Sequence, residues 1–213
     1  NILIPVCAAI LLLVAGVFIL NAQLWYSLRE DRLAGARYAA QNIATILNEA
    51  KDATRVAVEV STRGCDSAGQ YQLGTEAAVQ PHLRTLVILS EEKVWCTSLP
   101  GNNVLLRHLD TIPEKELSLI PAKNAVDNRP VMLFQRHFAG KRIIVSVSDR
   151  NIRDAMNTPL RYVNYSLAVG NQVMGMSGDI TTRVENAPGR ATIEATAYPF
   201  SIQYNLPPLF SAS

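Results

Sequence analysis

The 213-residue sequence has no charged residue before Arg29. It also lacks an excess of one charge: 20 Lys and Arg stand against 18 Asp and Glu, a formal net charge of +2. Without a strong basic field there is no compositional support for binding nucleic acid, so nucleic acid is not an expected partner. Its histidines are few and dispersed (His82, His108 and His137), with no His-Glu-x-x-His or Cys-x-x-Cys spacing, so no metal site is expected. Gly-x-Ser-x-Gly is missing, and Gly175-Met-Ser-Gly178, one residue short of it, reads as a strand turn. Gly101, Asn102 and Asn103, like Gly170 and Asn171, read as turn chemistry and not as phosphate cradles. Repeats and low-complexity tracts are absent, and the ordinary content of Gly and Pro, 11 each, excludes collagen. No cofactor is expected.

What is present is unevenly spread. Ile2 to Leu20 reads ILIPVCAAILLLVAGVFIL, and 17 of the first 20 residues are apolar. A run of about 20 apolar residues is long enough to cross a hydrocarbon core as a helix, and Pro5 and Gly16 are tolerated there. Trp25 and Tyr26 follow at interface depth. A signal peptide has a shorter apolar core and a small-residue cleavage site, whereas this run ends Phe-Ile-Leu-Asn. A buried core helix is rarely apolar on every face. Residues 1–21 therefore read as a transmembrane helix with the lipid bilayer as its partner, and residues 22–213 as one soluble domain.

Residues 22 to about 62 continue as a helix, without Pro and with Gly35 alone. Ala36, Ala40, Ile43, Leu47, Ala50, Thr54 and Ala57 form one face at steps of four and three. Arg29, Arg32, Glu49 and Lys51 lie off it, on an expected solvated face. Gly64 ends the helix. Residues 66–74 read as a polar loop, and Glu76 to His82 as a short helix. The period then changes. Leu83–Leu89 and Val94–Leu99 form a hairpin signal around Ser-Glu-Glu-Lys, and Val131–Phe138 and Arg142–Ser148 another around Gly140. Asp149 is placed to cap a short helix through about Met156. Tyr162–Val169 with Gln172–Met174, and Ala191–Ala197 with Ser201–Tyr204, complete the extended segments. Arg136, Arg142, Arg150 and Arg153 read as a solvated face in preference to an anion site. The order predicts an α+β domain, a long helix packed on a mainly antiparallel sheet.

Three cysteines occur. Cys7 lies within the apolar run, as a small hydrophobe. Cys65 and Cys96 admit three readings: two separate buried thiols, a permanent disulfide, or a reversible one. If they bridge, the chain-entropy model gives about 3.7 kcal/mol.

Cys96-Thr-Ser-Leu-Pro-Gly101, after a strand and with a cysteine one helix and strand upstream, resembles the CSS-motif sensor domain of bacterial membrane-bound cyclic-di-GMP phosphodiesterases. The likeness extends over nearly the whole chain, with Thr97 where that family usually carries Ser. It implies a PAS/Cache-like sensor in the periplasm, anchored in the bacterial inner membrane and preceding a cytoplasmic EAL domain. It also implies a thiol–disulfide switch of Cys65 and Cys96, with Thr97 and Ser98 completing the motif and periplasmic thiol-disulfide oxidoreductases as partners. Neither an EAL triplet nor a GGDEF run occurs in the chain, so no catalytic residue is expected in it. Homodimerisation through the Ala-rich helix is compatible with the pattern. The alternative is a PAS/Cache-type receptor that holds a small molecule in a sheet cavity.

Overall fold

The computed structural model describes residues 3–100, 106–160 and 162–209. The turn expected at Gly101, Asn102 and Asn103 lies outside them. Between Pro5 and Pro81 no proline interrupts the chain, and the result is one helix of 61 residues, α1 (Leu3–Arg63), about 90 Å long at 1.5 Å per residue. Its first turns reach a mean hydropathy of 3.0 over 18 residues, none of them buried, which is long and apolar enough to cross a membrane. The second half buries Ala36, Ala39, Ile43, Ile46, Leu47, Ala50, Ala53, Ala57 and Val60. That stripe is wider than the sequence reading, which lacked Ala39, Ile46 and Ala53 and included Ala40, here half-buried. Each large aliphatic side chain buried there contributes about 1.5–3 kcal/mol, and the alanines between them let the helix approach closely.

Gly64, at φ 114°, closes α1 by donating its N–H to the Val60 carbonyl at 3.0 Å. The next element corrects the expected loop over 66–74 and helix over 76–82: α2 spans Ser67–Val79. Asp66 caps it, its carboxylate accepting from the Gly69 N–H at 2.8 Å. Only Gly69 and Leu73 of α2 are buried, so no apolar stripe marks it in the sequence. Gly69 is needed for closeness, since a Cβ there would lie 2.8 Å from the Gly64 carbonyl oxygen.

Among the described residues ten strands follow, in two antiparallel sheets where the sequence suggested one. The first orders β2 (Lys93–Thr97), β1 (Thr85–Ser90), β5 (Lys141–Ser148), β4 (Val131–Phe138) and β3 (Leu117–Ile120). The second orders β8 (Ile180–Thr182), β7 (Gln172–Met174), β6 (Ser166–Val169), β10 (Ser201–Asn205) and β9 (Arg190–Glu194). Strands β3 and β8, four and three residues long, went unread because they are too short to show a period. Alternate residues of the first sheet serve two cores. Leu86, Ile88, Met132, Phe134, Ile143 and Val145 face α1, in a core shared with Leu167 and Ile202 of the second sheet. Val87, Leu89, Leu133 and Ile144 face the opposite side, under Ile112.

Helix α3 (Asp149–Met156) lies where expected, but Ser148 is its cap, accepting from the Asn151 N–H at 3.4 Å. Asp149 instead sits buried in the first turn and pairs with Arg153 at 3.0 Å. The solvated arginine face is corrected too. Arg142 is buried on β5, donating to Glu92 Oε1 at 3.0 Å, Gln135 Oε1 at 3.0 Å and the Ile112 carbonyl at 3.3 Å. A guanidinium can leave water when both terminal nitrogens are matched this way, even with the buried Nε left without a partner, and residue type alone does not reveal it. Of the four, Arg136 and Arg150 are exposed.

Candidate functional site

The candidate site stands where α1 meets the first sheet. Cys65 lies between Gly64 and the α2 cap Asp66, in the three-residue joint of the two helices, and Cys96 lies on β2, opposite Ile88 of β1. The two are joined by a disulfide, with Cα atoms 5.6 Å apart and a sequence separation of 31. This removes the first of the three sequence readings, separate thiols. The bond ties the end of a helix that begins in the apolar run to the outer strand of the sheet. Cys7 is free and exposed on that run.

The two halves of the bridge differ in setting. Cys96 is fully buried within the α1-facing core. Cys65 is only half-buried. The hydroxyls beside Cys96 serve as anchors. Ser98 Oγ accepts from the Leu86 N–H at 3.0 Å, and the Ser98 N–H donates to the Leu86 carbonyl at 2.8 Å. Ser98 therefore extends the β1–β2 ladder with its side chain as well as its backbone. Thr97 Oγ1 accepts from the Leu99 N–H at 3.2 Å, closing a tight turn at the strand end. Beside Cys96 on β2, Lys141 Nζ lies 4.7 Å from the centre of the Trp95 ring. A groove of about 480 Å³ runs between α2 and the motif, past Tyr71, Gly74, Ser98 and Leu99.

Polar side chains of α1 and α3 hold the segment between α2 and β1. Glu49 of α1, expected on a solvated face, meets His82 Nδ1 at 2.8 Å and the His82 N–H at 3.3 Å. Asn151 of α3 donates to the His82 carbonyl at 2.9 Å. The segment entering β1 is thus held from two helices. Further along α1, Asn42 donates to the Ala155 carbonyl at 3.0 Å, and Asn48 accepts from the Tyr198 hydroxyl at 2.6 Å. Near the apolar run, Arg32, also expected in solvent, donates to the Asn205 carbonyl at 2.7 Å. Trp25 Nε1 donates to the Pro207 carbonyl at 3.1 Å. The only signal for these contacts was a polar residue at the margin of the helical stripe.

An α+β sensor module on a candidate membrane helix, closed by one disulfide beside a Cys-hydroxyl-hydroxyl motif, is the class these features define. The chain belongs to the CSS motif domain family associated with EAL, whose model matches residues 28–213. It is 50% identical over 211 residues to the "Probable cyclic di-GMP phosphodiesterase PdeG" of Escherichia coli (strain K12), a match that takes in 99% of this chain. The chain spans 42% of that relative's length.

Proposed function

We propose that this chain is the periplasmic redox-sensing part of an inner-membrane cyclic-di-GMP phosphodiesterase, and that reversible formation of the Cys65–Cys96 bond regulates the catalytic part. The observation that carries the reading is the position of the bridge. It locks the end of α1, a helix unbroken from the apolar run, to β2. Opening it frees the α1–α2 joint from the sheet while the rest of α1 stays packed. A change in helix position or rotation is then carried along a rigid element toward the membrane. Coupling of about 1–3 kcal/mol suffices for such a switch, and a bridge closing this loop supplies about 3.7 kcal/mol by chain entropy.

In this reading residues 1–21 contact the lipid bilayer. Periplasmic thiol-disulfide oxidoreductases set the state of the bridge, and α1 pairs with its copy in a homodimer. The oxidised state restrains the phosphodiesterase and the reduced state releases it. The test is cyclic-di-GMP turnover by the full-length protein under oxidising conditions, with Cys65→Ala and Cys96→Ala. Both variants are expected to exceed the wild type; unchanged turnover refutes the switch.

A second reading, a small-molecule receptor, has one observation in its favour. A cleft of about 540 Å³ lies between Pro113, Lys115 and Ser118 on one side and Gly170 and Asn171 on the other. That size is within the range of small-ligand pockets. A thermal-shift screen separates the readings: a response to metabolites favours the receptor, a response to dithiothreitol alone the thiol switch.

A further inference from the structure

We infer that thiol–disulfide exchange enters the bridge at Cys65 and leaves through Cys96, so that the two cysteines have different chemical duties. The inference rests on the redox reading above and adds to it the sulfur that an external thiol attacks.

Exchange is an in-line displacement: the incoming thiolate approaches one sulfur along the S–S axis and the other sulfur departs. The attacked sulfur needs open space behind it, and the departing one does not. Cys96 has no such space, being fully buried among core side chains that include Leu86 and Ile88. Its strand is held on β1 by the ladder and by Ser98, and Thr97 closes the strand end. Cys65 is the more open of the two. It packs on the margin of that core but is only half-buried, in a joint of three residues between helices, preceded by Gly64 at φ 114° and followed by exposed Asp66.

Reduction by a dithiol then runs in two steps. Its thiolate attacks Cys65 Sγ, the Cys65–Cys96 bond breaks, and Cys96 leaves as a thiolate that takes a proton. The second thiol of the reductant, deprotonated, attacks its own sulfur in the mixed disulfide. Cys65 is released as a thiolate, and the reductant departs as a disulfide, having given two electrons. Oxidation by a disulfide-carrying protein is the reverse: the Cys65 thiolate attacks the oxidant, and Cys96 resolves the mixed disulfide from within the core. The Cys96 thiolate forms in apolar surroundings, which disfavour it, so departure of Cys96 is the slow event and needs loosening of the β2 end.

The test uses the oxidised full-length protein in membrane vesicles and glutathione as the attacking thiol. Early samples are acid-quenched and the adduct is mapped by peptide mass. Cys65 is expected to carry about tenfold more glutathione than Cys96, in line with the role of access in exchange. Equal adducts, an excess on Cys96, or no adduct until denaturant is added overturns the inference. A second measurement compares iodoacetamide alkylation of folded Cys96→Ala, which keeps Cys65, with Cys65→Ala, which keeps Cys96. The thiol of Cys65 is expected to react about tenfold faster, with the difference lost in urea; equal folded rates overturn the inference. Should glutathione map to Cys65 while phosphodiesterase turnover ignores the redox state, the regulatory reading falls and the entry point stands.

Discussion

The Tyr165 hydroxyl donates a 2.8 Å hydrogen bond to the main-chain carbonyl of Arg32, across 133 positions of sequence. It reaches the backbone of α1 because residue 35 is glycine. A Cβ on Gly35 would overlap the Tyr165 hydroxyl and lie 2.9 Å from Cζ. Together they fasten the second sheet to α1 at Arg32, the residue whose side chain also donates to the Asn205 carbonyl. Gly35→Ala is therefore expected to destabilise the protein, against the gain of about 1 kcal/mol that helix propensity alone gives. Loss of the hydrogen bond and overpacking together cost about 2–4 kcal/mol, leaving a net loss of about 1–3 kcal/mol. Denaturant unfolding of the variant beside the wild type measures it; a stabilised variant contradicts the contact.

Removing the bridge has a stability effect separate from signalling. Cys65→Ala or Cys96→Ala is expected to lower unfolding free energy by about 2–5 kcal/mol, the range for loss of a native disulfide. Dithiothreitol should reproduce the loss in the wild type and leave either variant unchanged, as thermal scans would show.

Arg142 provides a third test. Arg142→Ala strands Gln135 Oε1 and the Ile112 carbonyl, whereas Glu92, 46% exposed, relaxes into water. The expected loss is about 2–4 kcal/mol, below the upper end for breaking a buried pair because one partner is rehydrated. Glu92→Gln keeps an acceptor for Arg142 and should cost less than half as much. Equal losses would mean that the carboxylate charge, rather than the hydrogen bonds of the two terminal nitrogens, holds the β1–β2 turn.

Acid dependence follows from Asp127. Partial burial acts to raise its pKa, but the Arg84 guanidinium at 2.7 Å and the Arg129 N–H outweigh it and hold the carboxyl below the usual range. The folded value lies below the unfolded one, so its contribution is whole above the unfolded pKa of about 4 and fades as pH falls through the folded value. Asp127→Asn should cost about 0.5–1 kcal/mol near neutrality and nothing at the acid end of a pH series. A constant difference would exclude the ion pair as its source.

Sequence patterning was informative where one face of a long element is apolar. The α1 stripe was readable because period 3.6 persists along it, the β4–β5 hairpin because two β-rich runs flank Gly140, and α3 because a capping residue opens it. It failed at α2, which touches the core through one glycine and one leucine. It failed again at Arg142 and Glu49, whose charge suggested solvent and which meet Ile112, Glu92 and His82, each 30 or more residues away. The candidate site was legible only as two cysteines and two hydroxyls, and the residues left open whether the cysteines pair at all.

By itself the sequence determined the apolar run, the long helix that continues it, the antiparallel hairpins and the Cys-Thr-Ser motif. These are local: composition, period and turn residues act within a few positions along the chain. Only the tertiary structure decided that the domain has two sheets, that α1 supports both, and that Cys96 is buried while Cys65 is partly open. Burial and pairing are set by which distant surfaces close over a residue, and the chain near Cys65 carries no record of the strand that its sulfur meets.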